Sequence, residues 1–500
     1  MSGNLVTDIF EIRDEFHRTV RSAQIPLESG DIELPPLNPC ANALPVENKE
    51  VQHQLIRDYA HYKRLRELFL GDPEVRSAVA RDAVEALSRL NLKLPEKVLQ
   101  PLQIALADGD GWPFPDLDAL VPAPNMSNWR HLARTYPIEN VKFRAWKNRQ
   151  FHRTRGQFQI RHQELIQEIV AAYELSRGCS GACGFCCFDA PPLKEHLAWN
   201  KKTKSWWRDT LLVIKRVLGP GAVAAAGYWA TDPFDHPEYE AFTSEFQKVN
   251  GQHLRTTTLL WDRDLDRVRK FLELVTSSGE PYSFRLSIVS LKQLRLMHEN
   301  FSPEEMATIR VAVNNRQSLS LYTPTGRARK LQSRKSWQNL FYEGSTSACL
   351  SGFLFNLPDR TVKLISPCPP SSRHPKGYTV FCSRKFNQPE DLEIILEDII
   401  EHHMPLAPPP KKQLGFRDDL ALEISRNTVR FKTRYLTKQL KNDPMVVSYV
   451  QQIIKGEATP STLRGSSFLQ TGSQDHADHF IFYLFENGLL KEYIEPDVSE

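Results

Sequence analysis

From residue 165 onward the chain alternates short apolar runs with amphipathic stretches, and few folds accommodate that alternation. The runs 169–175, 222–228, 254–260 and 282–288 have strand length, while 204–218, 235–250 and 264–276 carry apolar residues at helical spacing. Strand, helix and strand in succession make a βα unit, and repeated units build a largely parallel sheet covered by helices. The same reading places a helix over 303–314, a strand over 319–323, and a hairpin whose arms are 352–356 and 361–365 around the turn Leu357-Pro358-Asp359-Arg360. The economical architecture is α/β, a partial (β/α) barrel over 151–403, in which chemistry gathers at the C-terminal ends of strands.

Proline clusters at 34–39, 112–115 and 404–410 interrupt regular structure and mark joints. Residues 1–150 read as a helical N-terminal module. Leu55, Tyr59, Tyr62, Leu65, Leu68 and Phe69 recur at helical spacing until Gly71-Asp72-Pro73 ends that helix and opens another bearing Val75, Val79, Ala83 and Leu87. Residues 411–500 read as a helical, winged-helix-like module: helices over 418–440, 444–454 and 474–486, then a short apolar wing at 489–494. Asp475, His476, Asp478, His479 and Glu486 dominate the last helix, so it lacks the basic face of a DNA reader and suits a peptide or a packing role.

A net charge of +4 on 500 residues makes no case for nucleic acid, and no apolar run approaches the roughly 20 residues of a membrane span. The stretch 8–16 is amphipathic and acidic, unlike a secretory signal, and only 8 cysteines are present. A reducing compartment, the cytoplasm, is expected.

At the end of the first expected strand stands Cys179-Ser180-Gly181-Ala182-Cys183-Gly184-Phe185-Cys186, three thiols at CxxxCxxC spacing. An iron–sulfur cluster takes four cysteines, so three would leave one iron open to a small molecule. Zinc is the alternative, with Cys187 or His196 as fourth ligand, although neighbours as close as Cys186 and Cys187 do not easily clasp one ion and no second CxxC pair follows.

Glu174-Leu175-Ser176-Arg177-Gly178-Cys179, with the cysteines after it and an aromatic before the last, resembles the cluster loop of radical S-adenosylmethionine (SAM) enzymes. Together with Tyr228-Trp229-Ala230-Thr231-Asp232-Pro233-Phe234-Asp235 and Val362-Lys363-Leu364-Ile365-Ser366-Pro367-Cys368, it is similar to the radical SAM peptide epimerases that mature ribosomally made peptides of the proteusin kind, over about 140–400. The resemblance implies a [4Fe–4S] cluster on Cys179, Cys183 and Cys186, with SAM on the fourth iron. Phe185 would pack on the adenine or the cluster. Thr231 and Asp232 would receive the SAM amino group, although Asp232 before Pro233 is equally a helix cap, and Arg285 and Ser287 would receive carboxylate and ribose.

The activity implied is conversion of L- to D-residues inside a precursor peptide, by removal of Hα and return of hydrogen from a cysteine. Cys368, on a loop stiffened by Pro367, Pro369 and Pro370, is the expected donor, with Cys349 and Cys382 as the others. The implied partners are the precursor peptide and an electron donor such as flavodoxin or ferredoxin. The basic run Arg327-Ala328-Arg329-Lys330-Leu331-Gln332-Ser333-Arg334-Lys335 would either grip an acidic leader or solvate a loop. Other radical modifications of a peptide, namely cross-linking or C-methylation, modification of tRNA, and a zinc-stabilised interaction protein remain as alternatives.

Overall fold

In the computed structural model residues 49–107, 137–158, 169–277, 284–342, 344–426, 428–441 and 443–495 are described; the stretch 8–16 and the proline breaks at 34–39 and 112–115 lie outside them. The chain is a mixed α/β protein that divides into two compact units, residues 1–128 with 257–321 and residues 129–256 with 322–500. Among the described residues no helix is long and apolar enough to cross a membrane.

In the first unit the helix Lys49–Gly71 ends where Gly-Asp-Pro demanded. Asp72 accepts from the Glu74 N–H at 2.9 Å and Pro73 opens the next helix, Pro73–Arg81. Gly71 is needed for close packing, because a Cβ there would stand 2.6 Å from Val313 Cγ1. Helices Ala83–Arg89, Glu96–Ala107, Leu265–Ser277 and Leu291–Asn300 follow.

The second unit is built on a five-stranded sheet. Its strands are β1 (Ile169–Glu174), β4 (Ala225–Ala226), β8 (Leu350–Asn356), β9 (Thr361–Pro367) and β10 (Tyr378–Lys385), in the order β10-β9-β8-β1-β4. Two short strands, β2 (Ser176–Arg177) and β3 (Glu195–His196), pair outside it. β1 runs parallel to both neighbours, and β8, β9 and β10 form an antiparallel meander. Every residue of β1 is buried, as expected for a strand covered on both faces. Tyr173 stacks on Phe355 at 5.1 Å and meets the edge of Trp207, from the helix Lys201–Leu218, at 5.2 Å.

β5 (Thr256–Thr258), β6 (Phe284–Ile288) and β7 (Arg310–Val313) make a three-stranded sheet, of which the first unit holds everything from Thr257 on. Here the helix expected over 303–314 is corrected. Val311 and Val313 lie beside Leu286 and Ile288 in a parallel ladder, and pairing with a neighbouring strand outweighs helical periodicity for β-branched residues. The strand expected at 319–323 reduces to one bridge, Tyr322 with Phe341.

A second correction concerns 418–440, which is not a helix. It forms β11 (Ala421–Ser425), β12 (Thr428–Lys432) and most of β13 (Thr437–Lys441), an antiparallel sheet in which Val429 and Phe431 face inward and Arg430 outward. That is a period of two, across turns too closely spaced for a helix reading to separate. Helices Pro444–Lys455, Pro460–Thr471 and Asp475–Glu486 close over Val429, Phe431, Tyr449, Leu463 and Leu484. The expected wing at 489–494 is no strand: Leu490 makes a single bridge to Phe416, and the strands of this module precede its helices.

Candidate functional site

β1 delivers the chain to the cysteine loop. β2 and β3 pair antiparallel and pinch off the residues between them. Gly178 turns the backbone at φ +87°, and a side chain there would run into Pro191 and Pro192 carbonyls, so only glycine admits this entry. Cys179 then donates its N–H to Pro191 O at 2.9 Å.

The three thiols are half-buried. Gly181 N–H donates to Cys179 Sγ at 3.2 Å and Ala190 N–H to Cys186 Sγ at 3.4 Å, the hydrogen bonds that favour thiolate sulfur in an iron–sulfur site. Cys183 and Cys186 share a hydrogen bond, which pushes the first thiol up and draws the second down. Burial raises Cys179 to about 11. Cys187 turns away, contacting Thr323 O at 4.0 Å and hydrogen bonding Ser347 and Thr325, and burial raises its thiol. His196 Nδ1 is engaged with Ser176 Oγ at 2.8 Å. Among the described residues no three His, Cys, Asp or Glu side chains are gathered tightly enough for one ion; cluster thiolates, which bind different irons, need no such convergence.

The segment after β4 is laced to this loop. Asp235 accepts from the Ser180 N–H at 2.7 Å and from the Ser180 hydroxyl. Asp232 is buried and caps the turn Pro233–Asp235 through the Phe234 N–H at 2.9 Å, so the capping role holds whatever else it does. Thr231 Oγ1 is buried without a hydrogen-bond partner among the described residues. A buried hydroxyl left so is costly unless a ligand meets it. Trp229 stacks near Phe188 at 4.4 Å and reaches Tyr378 at 5.7 Å.

From sequence, Glu174, Asp235 and Gly326 carry no role of their own at the site, and Arg327 one only within the basic run. Glu174, at the end of β1, is buried; its carboxylate accepts from Ala230 N–H at 2.8 Å and Asn356 Nδ2 at 3.1 Å, tying three strand ends together, while burial raises its pKa. Gly326, at φ +55°, lies against the carbonyls of Cys186 and Cys187 where no Cβ fits. Arg327 donates its N–H to Cys186 O at 2.9 Å and Nη2 to Ala190 O at 2.6 Å, and pairs with Asp189 at 3.0 Å. The sequence signal for this brace is the Thr-Gly-Arg turn alone. Phe185 packs at 4.9 Å on Tyr322, within a cluster that includes Trp337 and Phe341, and so anchors the loop to that segment.

Cys368 is 6% exposed and follows β9. Because β9 opposes β8, Cys368 leaves the sheet where β1 and β8 begin, whereas the cysteine loop leaves β1 at the other end. A chain of contacts links them: Cys368 N–H donates to Gly377 O at 3.0 Å, Gly377 O also accepts from Thr346 at 2.8 Å, and the neighbouring Ser347 bonds Cys187. Arg153, buried, donates to Ser366 Oγ at 2.9 Å and Pro367 O at 2.7 Å just ahead of it. Cys349 packs at the margin of the sheet core, and Cys382 lies buried on β10 with its thiol raised to about 12 by burial. Arg285 and Ser287 share one half-buried face of β6, in the first unit, whereas the cysteines belong to the second.

Replacing Asp235 by alanine removes two hydrogen bonds to a charged acceptor. We expect destabilisation of about 1–3 kcal/mol in urea unfolding and faster iron loss from reconstituted protein under a chelator, with Ser180→Ala, which keeps the backbone N–H bond to Asp235, giving a smaller effect in the same direction. Unchanged iron retention would leave the tether a purely structural contact.

No family model and no solved structure matches the chain. A protein of Sinorhizobium fredii described as "Uncharacterized protein y4wI" is 30% identical over 426 residues, spanning 81% of this chain and 82% of that protein. The chain therefore belongs to the same family as y4wI.

Proposed function

We propose that this chain is a radical SAM enzyme that converts L- to D-residues within a ribosomally made precursor peptide. The observation that carries the reading is the lacing of two strand ends: the three-cysteine loop after β1 is held by Asp235 to the segment bearing Thr231 and Asp232. Three cysteines with backbone N–H groups on two of their sulfurs fit a [4Fe–4S] cluster with one open iron. Thr231, with its orphaned hydroxyl, and Asp232 fit an ammonium group. When bound, cluster and SAM supply a 5′-deoxyadenosyl radical able to take hydrogen from an unactivated C–H bond.

The chain's own residues do the rest. Phe185 and Arg327 hold the loop, and Glu174 fixes the strand ends around it. Cys368 gives its thiol hydrogen to the opposite face of the planar carbon, breaking S–H and forming Cα–H, and is left one electron and one proton short. The fold that accompanies this reading is the partial (β/α) barrel, and the setting is the cytoplasm. Peptide recognition falls to the C-terminal module, whose strands β11 and β13 are the edges of its sheet among the described residues and suit pairing with an extended chain.

The test is coexpression with a precursor in deuterated water, followed by chiral analysis of the hydrolysate. New D-residues carrying one solvent deuterium at Cα, with no other mass change, are expected. Added methyl groups or lost hydrogens would instead mean C-methylation or cross-linking.

A further inference from the structure

Charge along the chain is unevenly spread. Between Glu305 and Glu390 the acidic residues are Glu343 and Asp359 alone, against a net charge of only +4 for the whole chain. Within that span the segment 326–335 abuts the cysteine loop through Gly326 and Arg327. Arg329 Nη1 donates to Ser371 O and Gly326 N–H to Pro375 O at 2.8 Å, which holds the loop bearing Arg373 against this segment. Lys330, Arg334, Lys335 and Arg373 are exposed, and among the described residues no carboxylate forms an ion pair with any of them. The aromatic cluster of Phe185, Tyr322, Trp337 and Phe341 lies beneath, joining this surface to the loop between Cys183 and Cys186.

We propose that this basic face, built from Lys330, Arg334, Lys335 and Arg373, is the docking surface of an acidic, low-potential electron carrier of the flavodoxin or ferredoxin class. The proposal rests on the radical SAM reading. That reading requires one electron to open each SAM and one electron with a proton to restore Cys368, and the carrier supplies both electrons by oxidation of its own cofactor. An acidic peptide would also be drawn to such charge. The carrier is favoured because the face is joined through the Arg327 N–H to the main chain of a cluster ligand, Cys186, which is where an electron must arrive. Exposed complementary charges steer encounter and raise association rates in a salt-dependent way, which suits a short-lived redox contact.

The experiment compares two reductants on the reconstituted full-length enzyme. In the Lys330→Glu/Arg334→Glu/Lys335→Glu variant, the concentration of reduced acidic flavodoxin giving half-maximal 5′-deoxyadenosine formation should rise about tenfold or more at low salt, and its salt dependence should flatten. With dithionite, which needs no docking, the rate and iron content should match wild type. Arg373→Glu should repeat the effect in smaller measure, and serves if the triple variant loads its cluster poorly. An unchanged flavodoxin requirement overturns the proposal. So does a variant whose peptide KM rises with dithionite as reductant, since the face would then hold substrate. Failure of the wild type to cleave SAM even with dithionite would overturn the radical reading itself, a separable result.

Discussion

Alanine at Cys179, Cys183 or Cys186 should reduce SAM cleavage to background and remove the iron–sulfur absorbance, because a methyl group cannot replace a thiolate ligand. Alanine at Cys187 should leave both within about twofold, at a cost of about 1 kcal/mol from a buried small thiol. The contrast between adjacent residues is the sharp part. Cys186 receives the Ala190 N–H and shares a hydrogen bond with Cys183, whereas Cys187 is turned to Thr323, Thr325 and Ser347. Absorbance and iron content of anaerobically reconstituted variants decide it. Loss of the cluster in Cys187→Ala with retention in Cys186→Ala would mean that the opposite face of the loop holds iron. A colourless wild type that binds zinc would return the site to a structural metal.

In Cys368→Ala the two halves of the reaction should come apart. Labelled 5′-deoxyadenosine should still form from a precursor deuterated at Cα, while D-residues fall at least a hundredfold, roughly 2.7 kcal/mol in rate terms. The geometry makes this a demanding test, because Cys368 leaves β9 at the end where β1 and β8 begin and is joined to the cysteine loop through Gly377, Thr346 and Ser347. A substrate Cα would have to lie between. Epimerisation at the wild-type rate in Cys368→Ala, lost instead in Cys349→Ala or Cys382→Ala, would transfer the donor role. Activity in all three variants, with a changed product mass, would end the epimerase reading.

Much of the first unit was legible because its signals are local. Gly71-Asp72-Pro73 stops one helix and caps the next within three residues, and the alternation along 284–288 alone places Arg285 and Ser287 on one face. The misread segments share a cause. Residues 310–313 and 421–441 have their hydrogen bonds satisfied by neighbouring strands, and a short run with mixed periodicity takes whichever partner the sheet offers. β10 and the helix Pro389–His403 went unmarked in the sequence, though Pro389 at the helix start and Asp391 bonding back to the Gln388 N–H are start signals.

By itself, then, the order of residues determined that three thiols stand on one short loop at the end of a buried strand, since spacing, the apolar run 169–174 and the glycine before Cys179 are all neighbours in the chain. Only the tertiary structure decided what closes over that loop. Asp235 reaches Ser180 across 55 residues and Arg327 reaches Ala190 across 137, contacts that carry no local periodicity and exist because the sheet brings their loops together. The same holds for Cys187, whose thiol is set apart from its neighbour's by Thr325 and Ser347, and for Cys368, whose end of the sheet follows from β9 running against β8. Chain direction in a sheet is a property of pairing, and pairing is settled by packing at a distance.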